Sequence, residues 1–277
     1  MNKDSIVMNP REYKNFTKDV LKSKSIEDII VTGSKDICTT DPAVIDKPLV
    51  IRGISGGKFM HRCMQNNRDF YYTDTGYLAN YIGPGNPTGI KLWHRVVKNS
   101  LQHHTIRECP PDRWQTLLTQ DKRLEWRGWK NYDKKILLVV PNAKSCKYYG
   151  VDIETWKNTT VNEIKKFSNL PIEIRYKASR RERNNGYTIY NAFDSGVYAT
   201  VTFNSIAALE SVLYGIPAFI SVPCAASPLA STDLSQLANP VKPDIDLILK
   251  QCYSLAYGQF TLEEMYDGTA WKILQKF

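Results

Sequence analysis

The chain has no long hydrophobic run, no paired-cysteine motif and no phosphate-loop signature. Its longest purely apolar stretch, Ile136 to Val140, is about five residues, against the roughly 20 that a membrane-spanning helix requires. The opening residues, MNKDSIVMNPREYKNF, contain no apolar segment of the export-signal kind, so neither a signal peptide nor stable membrane insertion is expected. The cysteines Cys38, Cys63, Cys109, Cys146, Cys224 and Cys252 form no CxxC pair, and no Cys/His cluster has metal-ligand spacing. Scattered thiols of this kind suit a reducing cytoplasm and argue against a structural zinc. Short-period repeats are absent too, which excludes solenoids. The loop GISGG, residues 53–57, is too loose for a dinucleotide fingerprint and lacks the GxxxxGK[ST] pattern.

Basic charge, by contrast, is in excess. With 37 Lys and Arg against 28 Asp and Glu, the formal net charge is +9. That points to a polyanionic partner, either nucleic acid, an anionic membrane surface or a phosphorylated substrate, with a solvated basic surface as the alternative. A hydrophobic content of 42% over 277 residues is enough for one large core or two small ones.

Strand and helix signals alternate along both halves. IEDIIVTG (26–33), KPLVIRG (47–53) and RDFYYTDTGYL (68–78) read as strands, with a helix KFMHRCMQNN between the last two. IGPGNPTG (82–89), with two prolines and three glycines, reads as loop. The rhythm restarts at KKILLVVPN (134–142) and continues through a helix at 151–167 and strands at LPIEIRYKAS (170–179), YATVTFN (198–204) and IPAFISVP (216–223). Near the end, Thr261 and Glu264 have the spacing of a capping box. The expectation is an α/β fold with parallel sheets in two Rossmann-like domains, 1–133 and 134–260, and ligands in the cleft at the carboxyl ends of the strands. The terminal helix, 261–277, is expected to pack back on the first domain.

Between the last two strands lies NSIAALESVLYGIPAF, where Asn204 and Ser205 stand at the mouth of a helix and Glu210 follows five residues after Ser205. Small polar residues there cap a helix, and the unpaired amides with the positive dipole end suit a phosphate. Taken alone, the pattern fits a plain cap with a solvent-facing Glu better. The whole stretch resembles the nucleotide-sugar-binding segment of two-domain glycosyltransferases of the GT-B class. Upstream, IEIRYKAS is similar to the strand in which those enzymes set an Arg and a Lys against the donor phosphates; here these are Arg175 and Lys177. The segments LVIRGISGGKFMHRCMQNNRDFYYTDTGYL and WHRVVKNSLQ resemble the front half of bacterial and phage sugar transferases, including capsule-type enzymes. The match covers most of residues 45–235.

The resemblance implies a metal-independent transferase that needs no cofactor beyond a nucleotide-sugar co-substrate, expected to be UDP-linked. Arg175, Lys177, Asn204, Ser205 and Glu210 would hold this donor, with Gly56 and Gly57 allowing close backbone approach. Asp74, at the end of a strand, is the first choice of base for the acceptor hydroxyl, and Asp36 is the second; His61 and His94 rank lower.

For the acceptor, two basic clusters matter. Arg113, Lys122, Arg123, Arg127 and Lys130 interleave with Trp114, Trp126 and Trp129, while Arg180, Arg181 and Arg183 form a second group. Cations with aromatic rings suit nucleic acid, and core tryptophans with solvated basic loops are the other reading. The N-terminal motifs look most like phage enzymes that move arabinose onto hydroxymethylcytosine, which would make duplex DNA with modified cytosine the partner and a host cytoplasm the compartment. Two further readings stay open: a transferase of capsule or lipopolysaccharide synthesis, and a non-catalytic nucleic-acid-binding protein on a transferase scaffold.

Overall fold

The computed structural model of the chain describes residues 30–32, 49–54, 57–79, 93–179, 181–182, 185–186 and 188–276. In chain order the described strands are β1 (Ile30–Thr32), β2 (Leu49–Arg52), β3 (Phe70–Thr75), β4 (His94–Lys98), β5 (Lys135–Val139), β6 (Ile172–Arg175), β7 (Val197–Thr202), β8 (Ala218–Ile220) and β9 (Gln259–Phe260). The helices are α1 (Gly57–Gln65), α2 (Asp112–Gln120), α3 (Ala143–Tyr149), α4 (Ile153–Phe167), α5 (Ile189–Asp194), α6 (Ala207–Tyr214), α7 (Ile245–Ala256), α8 (Leu262–Tyr266) and α9 (Thr269–Leu274). The described residues through 79, with 93–101 and those from Tyr257 on, form one compact unit; Gln102–Ala256 belongs to the other.

The second unit is a parallel four-stranded sheet in the order β6-β5-β7-β8. Such a sheet needs both faces covered, which is why β5 reads as a continuous apolar run. Alternation sends Ile136 and Leu138 to one face, where Ala199, Val201 and Phe219 join them beneath Ile164 of α4 and Leu237. Leu137 and Val139 point the other way, against Phe193 of α5 and Ala207 of α6. Val197 sits with the second group although Ala199 sits with the first, because the β5–β7 register slips by one residue between Lys135 and Ile136. Fully burying each such aliphatic side chain contributes about 1.5–3 kcal/mol.

Helix α6 ends at Gly215, whose φ of 90° is left-handed and whose added Cβ would lie 2.0 Å from the Gly128 carbonyl oxygen, so only glycine fits there. Lys130 N–H donates to the Gly215 carbonyl at 2.7 Å beside that contact.

Residues 102–133 fall in this unit. Arg107 Nη2 donates to the Ser254 carbonyl at 2.5 Å, Arg113 Nε to the Ala256 carbonyl at 3.0 Å, and Trp129 Nε1 to the Pro243 carbonyl at 3.2 Å. These bonds bind the segment to α7 and the residues leading into it.

The first unit carries a sheet in the order β1-β2-β3-β4-β9. Its first three strands are parallel, but β4 and β9 run antiparallel to their neighbours, so the sheet is mixed where a parallel one was expected. Asn99, at φ 55°, closes the β3–β4 pair: its N–H donates to the Phe70 carbonyl and its Oδ1 accepts from Phe70 N–H, both at 2.9 Å. The strand order is sequential, and no reversal of order occurs among the described strands of this sheet.

The chain returns to this unit at its end. Thr261 and Glu264 form the expected capping box. The terminal helix is broken into α8 and α9 at Gly268, whose φ is 84°. Phe260, Ala270 and Trp271 pack with Tyr71 and Val96, and the Tyr71 and Trp271 rings meet edge-on at 5.2 Å.

Candidate functional site

In the second sheet the chain leaves β5 towards β6 on one side, and leaves β7 towards β8 on the other. The carboxyl ends of β5 and β7 therefore flank a topological switch point, the position at which open α/β sheets hold ligands. The residues following those two strands converge there. After β5, Asn142 caps α3 by accepting from Ser145 N–H at 3.0 Å. After β7 come Phe203, Asn204 and Ser205, and then α6.

The expected cap is rearranged. Ile206 occupies the cap position of α6, and Ser205 Oγ accepts from Ala207 N–H at 3.2 Å. Asn204 does not cap. It is buried, and its Oδ1 accepts from Ser145 Oγ at 3.1 Å, linking the two strand ends. Its Nδ2 has no acceptor among the described residues, and the same holds for the N–H groups of Ser205 and Ile206. Three donors at the start of one helix are thus left for a ligand, an arrangement that suits an anion.

Arg175 ends β6 in register with Val139 and is only 8% exposed. Lys177 lies two residues past the strand and is exposed. The two cations expected on one strand face therefore sit in different surroundings, because β6 stops before its alternation reaches Lys177.

Glu210 retains some solvent contact, yet protein encloses most of it. Burial pushes its carboxyl up to about 7; Arg123 opposes that rise, Asp121 adds to it and Arg175 opposes it. Asp121 holds Arg123 through Nε–Oδ1 at 2.7 Å and Nη2–Oδ2 at 2.5 Å, and the Arg123 guanidinium lies 5.4 Å from the Tyr190 ring centre. Burial, and then Glu210, raise the Tyr190 phenol well above its ordinary range.

A pH effect follows from Glu210. Its folded value of about 7 exceeds the ordinary 4.5. The stability tied to its neutral form is thus complete below the lower value and lost as pH rises through the upper one. In Glu210→Gln that loss disappears. Melting temperatures of variant and wild type should lie close together near pH 5, and the variant should gain on the order of 3 °C by about pH 8. A difference that does not change with pH would show that Glu210 is not held neutral by its surroundings.

In the first unit, Asp74 stands opposite Arg95 in the β3–β4 ladder. Its Oδ2 accepts from the Tyr72 hydroxyl at 2.8 Å, its Oδ1 accepts from Thr75 N–H at 2.8 Å, and Arg95 Nη2 lies 3.7 Å from Oδ2. The carboxylate side chain is nonetheless 34% exposed. His61 is exposed on α1, and His94 is buried in β4. Gly57 begins α1, whereas Asp36 and Gly56 lie outside the described residues.

Part of the basic cluster expected to meet nucleic acid is engaged by the protein itself. Trp114 is 3% exposed, Arg113 and Trp129 bond to backbone carbonyls, and Arg123 is paired with Asp121. Trp126 packs edge-on against Trp129 at 5.0 Å. Lys122, Arg127 and Arg181 are exposed and Lys130 is half-buried; Arg180 and Arg183 lie outside the described residues. Among the described residues no group of three or more His, Cys, Asp or Glu could hold a metal ion, and no helix is long and apolar enough to cross a membrane.

Sequence reasoning missed Asn142 and Ser145, although an Asn directly after an apolar strand and three residues before a Ser is a readable cap signal. It also missed Gln102, whose bonds are described below and which no local pattern betrays.

No known family model matches the chain, and no curated protein matches it. Among solved structures the chain is similar to Thermosulfurimonas dismutans KpsC, beta Kdo 2,4 transferase, at 12% identity and a TM-score of 0.44, over 77% of this chain and 80% of that one. It is also similar to Thermosulfurimonas dismutans KpsC, beta Kdo 2,7 transferase, at 12% identity and a TM-score of 0.48, over 95% of this chain and 90% of that one. At these values the likeness fixes neither the family nor the activity of this chain.

Proposed function

We propose that the protein is a glycosyltransferase that binds a nucleotide sugar at the β5–β7 switch point of its second unit. The observation carrying this reading is the set of unspent donors there: Asn204 Nδ2 and the amides of Ser205 and Ile206, with Arg175 ending the strand beside β5. Backbone amides at a helix start and a guanidinium are the groups that offset a departing phosphate. Glu210, which has no hydrogen-bond donor among the described residues, is the acceptor for a donor hydroxyl, and Lys177 adds charge from the exposed side. In this proposal Asp74 takes the proton from the acceptor hydroxyl.

A saccharide of the capsule or lipopolysaccharide kind suits the acceptor role better than duplex DNA. Of the residues on which the DNA reading stood, Arg113, Arg123, Trp114 and Trp129 are occupied by Ala256, Asp121, the core and Pro243, while Lys122, Arg127 and Arg181 are exposed. Nucleotide release from UDP- and CMP-linked sugars, followed with saccharide acceptors and in parallel with hydroxymethylated duplex DNA, tests both parts. Release that depends on a saccharide supports the reading. Release that depends on DNA restores the arabinose-to-hydroxymethylcytosine alternative, and no release with any donor overturns the transferase proposal.

A further inference from the structure

A buried hydrogen-bond chain runs behind the switch point. Gln102 Nε2 donates to the Asn204 carbonyl at 2.9 Å, and Gln102 Oε1 accepts from Ala225 N–H at 3.1 Å. Gln251 Nε2 then donates to the Ala225 carbonyl at 2.6 Å. At the other end, Ser145 Oγ grips the Asn204 carboxamide oxygen. Gln102 is 9% exposed, Ser145 4%, and Ala225 and Gln251 0%. A single carboxamide thus bridges two backbone positions 21 residues apart in sequence, 204 and 225, using both its donor and its acceptor.

Such a bridge is more than core filling. Gln102 and Ser145 satisfy both oxygens of Asn204, the backbone carbonyl and the side-chain Oδ1, and leave Nδ2 as the only side-chain group of that buried residue without a partner among the described residues. A buried polar group is held to one geometry when its remaining valences are spent on buried partners. The bridge also stabilises the core, because an apolar side chain at 102 would leave the Asn204 carbonyl and the Ala225 N–H without this partner, so its positioning role has to be read from ligand binding and not from stability.

We propose that Gln102 is a positioning residue, which acts through Asn204 by fixing where its free Nδ2 and the following amides meet an anion. This rests on the donor-site reading above. Gln102 does not touch the ligand itself.

The test combines a double-mutant cycle with a ligand-independent readout. With inorganic pyrophosphate as the calorimetric probe, Gln102→Met should weaken binding about tenfold, the worth of one well-placed hydrogen bond. In an Asn204→Ala background the same change should cost less than about twofold, because the residue it acts through is gone. In nuclear magnetic resonance spectra Gln102→Met should move the Asn204 side-chain amide pair, identified by its loss in Asn204→Ala. Ser145→Ala, which releases the other oxygen of Asn204, should move the same pair and covers the case in which Gln102→Met does not fold. An equal loss of affinity in both backgrounds, or an unmoved Asn204 pair, would overturn the proposal. Wild-type protein that binds no pyrophosphate would defeat the donor-site reading instead, while the Asn204 resonance would still decide the role of Gln102.

Discussion

Replacing Arg175 by Gln lowers nucleotide-sugar affinity about 100-fold, close to 2.7 kcal/mol, on this account. The size follows from burial. Arg175 is 8% exposed, so its charge acts on a bound phosphate through little intervening water, where a surface cation would contribute about 1 kcal/mol or less. Gln keeps a hydrogen-bond donor and most of the length, so the loss reports charge. The same change removes one of the two guanidiniums that oppose the upward shift of Glu210. Stability of Arg175→Gln should therefore go on falling to a higher pH than in the wild type, from the same starting point near the ordinary carboxyl value, while Lys177→Gln, at an exposed position, should lose only a few-fold in affinity. Titration calorimetry and melting curves check both, and an Arg175→Gln variant with unchanged affinity would move the phosphate site elsewhere.

Asp74→Asn should cut turnover about 1000-fold, in the range expected for loss of a general base, while donor affinity stays within about twofold. The substitution is nearly isosteric: the Asn oxygen can accept from Thr75 N–H as Oδ1 now does, while Nδ2 takes the place of Oδ2 and can donate to the Tyr72 hydroxyl oxygen, which then accepts instead of donating. What Asn lacks is the capacity to take a proton. Arg95 Nη2, 3.7 Å from Asp74, also has Nη1 bonded to the Thr75 carbonyl at 3.1 Å, so it is not left without an acceptor. Single-turnover kinetics separate the chemical step from binding. Near-normal turnover would remove Asp74 from the mechanism.

How much of this was readable from residues alone varies with the range of the interactions. The second sheet was legible because β5, β7 and β8 are short, mostly apolar runs set off by helix signals, the signature of parallel strands buried on both faces. The capping box at Thr261 and Glu264 was legible because all its partners lie within four residues. In contrast, β4 was not. HRVVK is short, carries charge at three of its five positions if His94 is counted, and is a strand through its pairing with β3 about twenty residues away.

The segment 113–130 is ambiguous for a related reason. Arginines and tryptophans that donate to the carbonyls of Pro243 and Ala256 look the same in a sequence as ones that face a polyanion. Backbone acceptors carry no residue signature. Arg123 is the instructive case: Asp121, two residues away, was available as its partner, and the short spacing was the signal to use. At the candidate site, Ser205 and Glu210 were visible from the helix-start pattern. The release of Asn204 from capping was not, because it depends on Ser145 and Gln102, 59 and 102 residues distant.

The central claim is that a nucleotide sugar docks where β5 and β7 end. Hydrogen–deuterium exchange with and without a saturating UDP- or CMP-linked sugar addresses it residue by residue. The account predicts slowed exchange in the segments spanning 140–146 and 203–210, led by the Ser205 and Ile206 amides that now lack acceptors, and little change in β8 or α7. Binding accompanied by protection elsewhere, with the Ser205 and Ile206 amides exchanging as before, would contradict it.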